Sequence, residues 1–284
     1  MKLRRTYAAF TLIELLTVIG IIGLLAAVVG PVLTSFRKGD AMLAATRTML
    51  DGVGRARQLA ISQHTTVYMV FVPPNFWDNT LPLYQDLTAY NKLPASELAK
   101  ATNVLDKQLS GFTFVSLRSI GDQPGRNTPH YLAAWQSLPD KAFIAPWKFN
   151  LGVNNTLFIT DNASGQVFPV RGFNVTNTIP FPSDDVPYLG IAGVPPYVNL
   201  PYIAFDYQGR LVSGDGTPLG RDEYIPLAHG SVSLAINPAT RKPQATGVTV
   251  VQEQKPGNST NTAYNLIHID WLTGRARLEH QQVK

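Results

Sequence analysis

The feature that constrains this chain most is a long uncharged segment near its amino terminus. Residues 15–33 are nineteen residues without a charge, and at about 1.5 Å per residue a helix of that length crosses the hydrocarbon core of a bilayer. Three basic residues precede the segment, namely Lys2, Arg4 and Arg5. By the positive-inside rule they predict a cytoplasmic amino terminus, with the rest of the chain on the other side of the membrane.

A cleaved signal peptide is the alternative reading of this segment, with Leu25-Ala26-Ala27 as its small-residue cleavage site. The length of the apolar run argues against it, and so does the carboxylate of Glu14 at its start. A charge within a membrane helix costs roughly 2.5–3.5 kcal/mol on insertion scales, so its presence indicates a functional partner.

A short motif, AAFTLIE at residues 8–14, comes directly before the apolar run. It resembles the prepilin processing site of type IV pilins and type II secretion pseudopilins. The resemblance implies that a prepilin peptidase cuts on the cytoplasmic side between Ala9 and Phe10, and that Phe10 is then N-methylated. Glu14 becomes the fifth mature residue, where the family keeps a glutamate, and Pro31 takes the place of a helix-interior proline. The family usually has glycine where this chain has Ala9.

The resemblance also implies a role for Glu14 and Pro31 in assembly. In a filament without lipid, a lone carboxylate among leucine and isoleucine side chains is strongly disfavoured. The amine of Phe10 on a neighbouring subunit compensates that charge. The pairing then sets the axial register between subunits, which is a contribution to specificity rather than to stability.

After Arg37 the helix is predicted to become amphipathic and to end near Gln63. Apolar or small residues recur at spacings of three and four and form one face, which is typical of a helix packed on a sheet. That face consists of Met42, Thr46, Met49, Val53, Ala56 and Ala60. The β-rich residues 65–72 then predict a strand that ends at Pro73 and Pro74.

Three further segments, at residues 54–63, 202–211 and 269–278, resemble H-type minor pseudopilins and FimT-like pilins. They carry an AR-x-x-A helix end, an F-x-x-x-G strand-turn and a final TGRxR hairpin. The resemblance implies an α+β pilin fold, in which a long amino-terminal helix packs on an antiparallel sheet. The predicted parts are a leader at 1–9, a transmembrane half-helix at 10–35, an amphipathic half-helix at 36–63 and a periplasmic head at 64–284, enlarged at about 73–200.

The enlarged part is predicted to contain a helix at 96–109 and strands at 112–117, 156–160 and 166–170. Six prolines between Pro180 and Pro201 favour a loop there rather than a sheet interior. Three tryptophans lie in this part: Trp77, Trp135 and Trp147. They favour a small satellite core, with an aromatic platform for a glycan or a protein partner as the alternative.

The sequence gives no support for enzymatic activity or for a cofactor. There are no cysteines, which excludes disulfides, thiol nucleophiles and cysteine-ligated metals. The five histidines form no zinc motif, and the chain has no phosphate-binding loop or nucleophile elbow. Oxygen-rich turns at 183–185 and 213–216 could ligate calcium, but ordinary turn chemistry is the favoured reading.

The net charge of +5 does not indicate a nucleic-acid binder, because the first five residues supply three of the positive charges. A local basic feature remains at Arg275 and Arg277, two residues apart and so on one face of a strand. Such a pair could clamp phosphates, and FimT-like minor pilins of natural transformation are thought to hold DNA with a similar end. Alternatively, the arginines pair with nearby acids, and Glu279 lies on the same face.

The sequence therefore predicts a minor pilin-like subunit of a periplasmic filament, either a type II secretion pseudopilus or a type IV pilus. Its implied partners are other pilin subunits, the prepilin peptidase and an inner-membrane assembly platform. It would be held in the inner membrane as a single span before assembly. A DNA-binding minor pilin that uses Arg275 and Arg277 is the alternative, and an envelope protein that carries a pilin leader and a ligand-binding head is a third. The sequence does not distinguish secretion from pilus or DNA-uptake systems.

Overall fold

The computed structural model describes residues 11–74, 95–118, 128–160, 165–185, 198–233, 250–253 and 265–280; the side chains of residues 26–40, 98, 250–253 and 280 are outside this description. The chain divides into two compact units, Met1–Ala41 and Met42–Lys284. The first unit contains the start of the long helix. The second contains the rest of that helix and all the strands described below, so it has its own core.

The helices are α1 (Leu12–Gln63), α2 (Ala95–Thr102) and α3 (Pro146–Asn150), and a 3-10 turn spans Leu105–Lys107. The first strands are β1 (Val67–Phe71), β2 (Gly111–Ser116), β3 (His130–Tyr131), β4 (Gln136–Ser137), β5 (Ala142–Ile144), β6 (Thr156–Thr160) and β7 (Val167–Arg171). The others are β8 (Asn174–Thr176), β9 (Leu200–Phe205), β10 (Leu211–Val212), β11 (Glu223–Ser233), β12 (Val250–Glu253), β13 (Asn265–Ile269) and β14 (Ala276–His280). The fold is therefore α+β, with antiparallel sheets.

The first sheet has the order β10-β9-β1-β2-β3, with β8 beside β9 and β4 beside β2. Its centre is β1, which pairs antiparallel with β2 (Met69 opposite Phe114) and with β9 (Met69 opposite Ile203). All five residues of β1 are buried, because the sheet is covered on both faces. Valine, tyrosine and phenylalanine suit such a doubly buried strand.

One face of this sheet packs against α1 through the predicted helical stripe. Met49, Val53, Ala56 and Ala60 are fully buried in the main core, and Met42 packs at its edge. Gly52 also lies on this face, since a Cβ there would come within 3.0 Å of the Phe112 ring. The glycine that lowers helix propensity thus lets the helix approach the sheet closely.

The other face of the first sheet is covered by α2 and by residues 178–182. Ala101, Val104, Ile179 and Phe181 form a second apolar cluster with Tyr68, Val70 and Tyr202 of the sheet. Trp135 packs at its margin, with ring centroids 5.8 Å from Phe181. Trp135 thus belongs to a small second core, as its sequence context predicts, while Trp77 lies outside the described residues.

The second sheet has the order β12-β11-β13-β14, with β5 also paired to β11. Its longest strand, β11, was not predicted, because Pro226 and Gly230 interrupt its sequence. Pro226 is accommodated as part of a pair with Leu266, and its carbonyl accepts a hydrogen bond from the Ala145 amide at 2.9 Å. The hairpin β6–β7 forms a separate two-stranded sheet.

A buried ion pair joins the enlarged part of the head to the second sheet. Lys148 of α3 is fully buried and pairs with Glu223 of β11. Its ammonium also donates to the Arg171 carbonyl at 2.6 Å and lies 4.6 Å from the Phe173 ring centroid. Burial lowers the pKa of Lys148, and the carboxylate of Glu223 opposes that shift.

The strands predicted at 65–72, 112–117 and 166–170 are β1, β2 and β7, with limits that differ by one or two residues. Two other predictions differ from the structure in kind at one end. The helix predicted at 96–109 is α2 followed by the separate 3-10 turn. The loop predicted through Pro201 ends earlier, since Pro201 lies within β9. Its missing N–H breaks no bond to β1, because the pairing of β9 with β1 begins at Tyr202.

Candidate functional site

The helix α1 begins with a reciprocal hydrogen-bonded cap formed by Thr11 and Glu14. The Glu14 amide donates to the Thr11 hydroxyl at 3.3 Å, and the Thr11 amide donates to the Glu14 carboxylate at 3.1 Å. The Thr11 hydroxyl also donates to that carboxylate at 2.9 Å. This is a capping box, in which the amides of Thr11 and Glu14 lack helical partners and each donates to the side chain of the other residue. Sequence reasoning missed it, although the T-x-x-E spacing is its signal.

The first unit exposes a long apolar helical surface. From Leu12 to Leu25, ten large apolar side chains are between 49% and 81% exposed. Among the described residues, no helix is both long and apolar enough to cross a membrane. The predicted processing residues Ala9 and Phe10 lie outside the described residues, and so does the side chain of Pro31.

The second predicted site lies in the carboxy-terminal hairpin, where β13 and β14 pair antiparallel. Arg275 lies just before β14 rather than within it, because its carbonyl closes the turn by accepting the Asp270 amide at 3.0 Å. Both Arg275 and Arg277 are exposed. Arg277 forms an ion pair with Glu279, whereas the Arg275 side chain has no partner among the described residues.

His268 lies between two carboxylates, and one of them also pairs with Arg277. His268 hydrogen-bonds Asp222 through Nε2 at 2.8 Å and Glu279 through Nδ1. Its ring stacks on Tyr224 with centroids 4.6 Å apart. The pKa of Glu279 is lowered overall, because hydrogen bonds from His268 and Arg277 outweigh its desolvation. Arg277 therefore belongs to a hydrogen-bonded network of charged side chains within the sheet.

The three segments that resemble H-type minor pseudopilins contact one another in the second unit. The Arg57 Nε of α1 donates to the Thr273 carbonyl at 2.7 Å. A Cβ on Gly209 would lie 2.9 Å from Arg57, and a Cβ on Gly274 would lie 2.0 Å from the Gly209 carbonyl oxygen. Both glycines have positive φ, at 80° and 61°. These glycines let two turns and the helix end pack without side chains between them.

The oxygen-rich turns satisfy their own polar groups. Asp215 accepts the Thr217 amide at 3.0 Å and the Thr217 hydroxyl at 2.7 Å, and hydrogen bonds from Ser213 and Thr217 lower its pKa to about 2. Ser183 donates to Glu97 at 2.7 Å, and Asp185 pairs with Lys100. Within the described residues, no group of three or more potential ligands is placed to hold a metal ion.

Comparison with known proteins identifies the amino-terminal segment. Residues 4–30 match the family model described as the prokaryotic N-terminal methylation motif. This motif is typical of type IV pilin-like subunits, which a prepilin peptidase processes and which assemble with other pilin subunits. Such a motif fits a membrane-anchored pilin. No curated protein and no solved structure matches the chain.

Proposed function

We propose that this chain is a minor subunit of a periplasmic filament, either a type II secretion pseudopilus or a type IV pilus. The match of residues 4–30 to the methylation motif carries the proposal. The exposed apolar surface of residues 12–25 supports it, because a contiguous apolar surface of this kind marks a site that lipid or another protein covers. The proposed H-type character rests on the three segments that resemble H-type minor pseudopilins. These segments contact one another around Arg57 and so contribute to the same packing.

The proposed life cycle begins in the inner membrane. Residues 10–35 span the bilayer with the amino terminus in the cytoplasm, held there by Lys2, Arg4 and Arg5. The prepilin peptidase removes residues 1–9 and methylates Phe10. An inner-membrane assembly platform then extracts the subunit into the filament, and the head stays on the periplasmic side.

In assembly, we propose that Glu14 exchanges one set of hydrogen bonds for another. In the isolated chain its carboxylate is occupied by the Thr11 amide and hydroxyl. In the filament, the methylated amine of Phe10 on a neighbouring subunit pairs with that carboxylate and replaces the hydrogen bonds from Thr11. The capping box keeps the charged group satisfied until this partner arrives, since an unpaired carboxylate among apolar helices is strongly unfavourable. Pro31 is proposed to contribute to helix packing in the same interface.

Filament recovery tests this proposal. Cells that carry the complete assembly system are sheared, and the filament fraction is probed for this chain. We expect the chain in that fraction only when the prepilin peptidase and the assembly ATPase are both active. Recovery that is independent of both would contradict the proposal.

DNA binding is the second candidate function, and one observation favours it. Arg275 is exposed and has no partner among the described residues, so its guanidinium is available for a phosphate. The pairing of Arg277 with Glu279 weighs against it, because a single free arginine releases few counterions. In a titration of the full chain with duplex DNA, we expect little binding. Salt-sensitive binding that disappears in the Arg275→Gln/Arg277→Gln variant would promote this function to first place.

A further inference from the structure

A cavity of about 280 Å³ lies on the face of the first sheet that α1 does not cover. We call it the α2 pocket, because its rim includes Lys100 of α2 and Asn103, which follows that helix. An apolar cavity of about 150 Å³ is large enough to bind benzene, so the α2 pocket has room for an aromatic ring and the group attached to it. Its wall is mainly apolar and is formed by Val104, Tyr131, Ala133, Ala134, Trp135 and Pro182.

The shape of the α2 pocket is fixed by hydrogen bonds at the polar ends of its two aromatic residues. Trp135 Nε1 donates to the Pro182 carbonyl at 2.9 Å, and the Tyr131 hydroxyl donates to the Pro180 carbonyl at 2.6 Å. The two rings are 6.0 Å apart between centroids. Because their polar ends are already bonded, these residues offer a ligand their rings rather than hydrogen bonds. A preformed site also loses little conformational entropy on binding.

The charged groups on one side of the rim are occupied by one another. The Lys100 ammonium has three N–H donors. They meet Glu97 at 2.7 Å, Asp185 at 2.8 Å and the Ser183 hydroxyl at 3.2 Å. The Ser183 hydroxyl in turn donates to Glu97 at 2.7 Å, and Asp184 accepts a backbone amide at 3.3 Å. This side of the rim therefore offers a ligand neither an unused ammonium donor nor an unpaired carboxylate.

Two other polar side chains of the α2 pocket retain donors. The side chain of Asn103 has no hydrogen-bond partner in the part of the chain that the structure describes. The Lys107 ammonium lies 3.6 Å from the Asp106 carboxylate, which is beyond hydrogen-bond distance. The charge of Lys107 is thus matched by a neighbouring carboxylate, while its N–H groups stay available. The pocket therefore combines an apolar wall with two hydrogen-bond donors at its rim.

These features define the class of ligand. The apolar wall favours a ring, and the two donors favour one carbonyl oxygen close to that ring. An anion would find no uncompensated cation, since Asp106 already matches Lys107. A sugar would place most of its hydroxyl groups against an apolar wall without hydrogen-bond partners, which is unfavourable. An aromatic residue within a peptide meets both requirements, because it carries a ring and a neutral backbone carbonyl.

We propose that the α2 pocket binds one aromatic residue from an extended peptide segment of another protein. Its ring lies against Trp135 within the apolar wall, and its backbone carbonyl accepts a hydrogen bond from Lys107 or Asn103. Pockets for single side chains beside hydrogen bonds to the peptide backbone are a recurring mode of peptide recognition. The site lies within the second unit and goes beyond the filament role, on which it does not depend.

Ligand-observed fluorine NMR of the full-length chain in detergent tests the site. The probe is N-acetyl-4-fluorophenylalaninamide, a neutral aromatic residue with both of its peptide groups. We expect saturable binding with a Kd of about 0.1–1 mM, which ordinary ligand efficiency gives a probe of about 16 non-hydrogen atoms. Ala134→Phe should weaken binding about tenfold or more, because the new ring fills the cavity. Thr160→Phe adds the same ring at an exposed position of β6 and should leave the affinity unchanged.

A rim substitution and two charged analogues test the chemistry. Lys107→Met keeps the aliphatic stem and should weaken binding of the neutral probe about fivefold, because one hydrogen bond is lost. The neutral probe should bind at least as tightly as N-acetyl-4-fluorophenylalanine, an anion, and 4-fluorophenylalaninamide, a cation. These measurements decide the question even where Ala134→Phe fails to fold. No saturable binding, binding that ignores Ala134→Phe or Lys107→Met, or tighter binding of a charged analogue or a fluorinated methyl glucoside would overturn the proposal.

Discussion

Replacing Gly274 with alanine should destabilise the head strongly, because two backbone requirements coincide at this glycine. Its φ is 61°, and an added Cβ would lie 2.0 Å from the carbonyl oxygen of Gly209. The left-handed backbone costs an L side chain roughly 1–2 kcal/mol. The overlap cannot be relieved by a side-chain rotation, since the atom it meets belongs to the backbone. Displacing a packed neighbour adds roughly 1–3 kcal/mol.

We therefore expect Gly274→Ala to lower the free energy of unfolding by roughly 2–5 kcal/mol. In a domain of this size each kcal/mol lowers Tm by roughly 2–4 °C, so a loss of about 3 kcal/mol lowers it by about 6–12 °C. The measurement is urea and thermal unfolding of the full-length chain in detergent. Tryptophan fluorescence reports on the head, because all four tryptophans lie in the second unit.

Gly220→Ala is the matched control for this substitution. Gly220 has a similar φ of 66°, but nothing lies within 4 Å of the position that its Cβ would take. This control should therefore show only the conformational cost of roughly 1–2 kcal/mol. Equal losses for the two variants, to within about 0.5 kcal/mol, would refute the idea that the two turns are clamped together at Gly274.

Three further predictions concern charged groups. Glu14→Leu should leave membrane insertion intact or improved and reduce incorporation into filaments, because the amine of Phe10 loses its partner; normal recovery in sheared filaments would contradict this. Lys148→Met should cost about 3–5 kcal/mol in urea unfolding, since it leaves the buried Glu223 unpaired, and Lys148→Met/Glu223→Leu should recover part of that loss. Because the pKa of Asp215 is about 2 in the fold against 3.8 ordinarily, its stabilisation is complete above about pH 4 and is lost as the pH falls through about 2. The stability difference between the wild type and Asp215→Ala should shrink over that range; a difference that is constant with pH would refute the assignment.

Local patterns predicted the elements whose sequences are self-consistent. The helical stripe from Met49 to Ala60 is buried as its spacing predicts, and α1 ends at Gln63. The strand predicted at residues 156–160 is β6, with the same limits. In these segments the hydrophobic period, the β-branched residues and the flanking turn residues all favour the same structure, so tertiary contacts have little to override.

The remaining features depend on contacts between distant segments. The long strand β11 contains Pro226, and only its pairing with β13 and β5 makes it a strand. The hydrogen bond from Arg57 to Thr273 joins residues 216 positions apart. The cavity beside α2 likewise has a wall that combines Val104, Trp135 and Pro182 from three segments. No local pattern encodes such a juxtaposition, whereas the capping box of Thr11 and Glu14 was readable from its spacing and was missed.

The mass of the mature protein tests the central claim most directly. The full-length chain is expressed in cells with an active prepilin peptidase, extracted from the membrane and measured intact. We expect residues 1–9 to be absent and one methyl group to be present on Phe10. The same chain from cells without the peptidase should keep residues 1–9 and carry no methyl group. An unprocessed chain in both cells, or a new amino terminus directly after Ala27, would contradict the assignment of this protein as a pilin-like filament subunit.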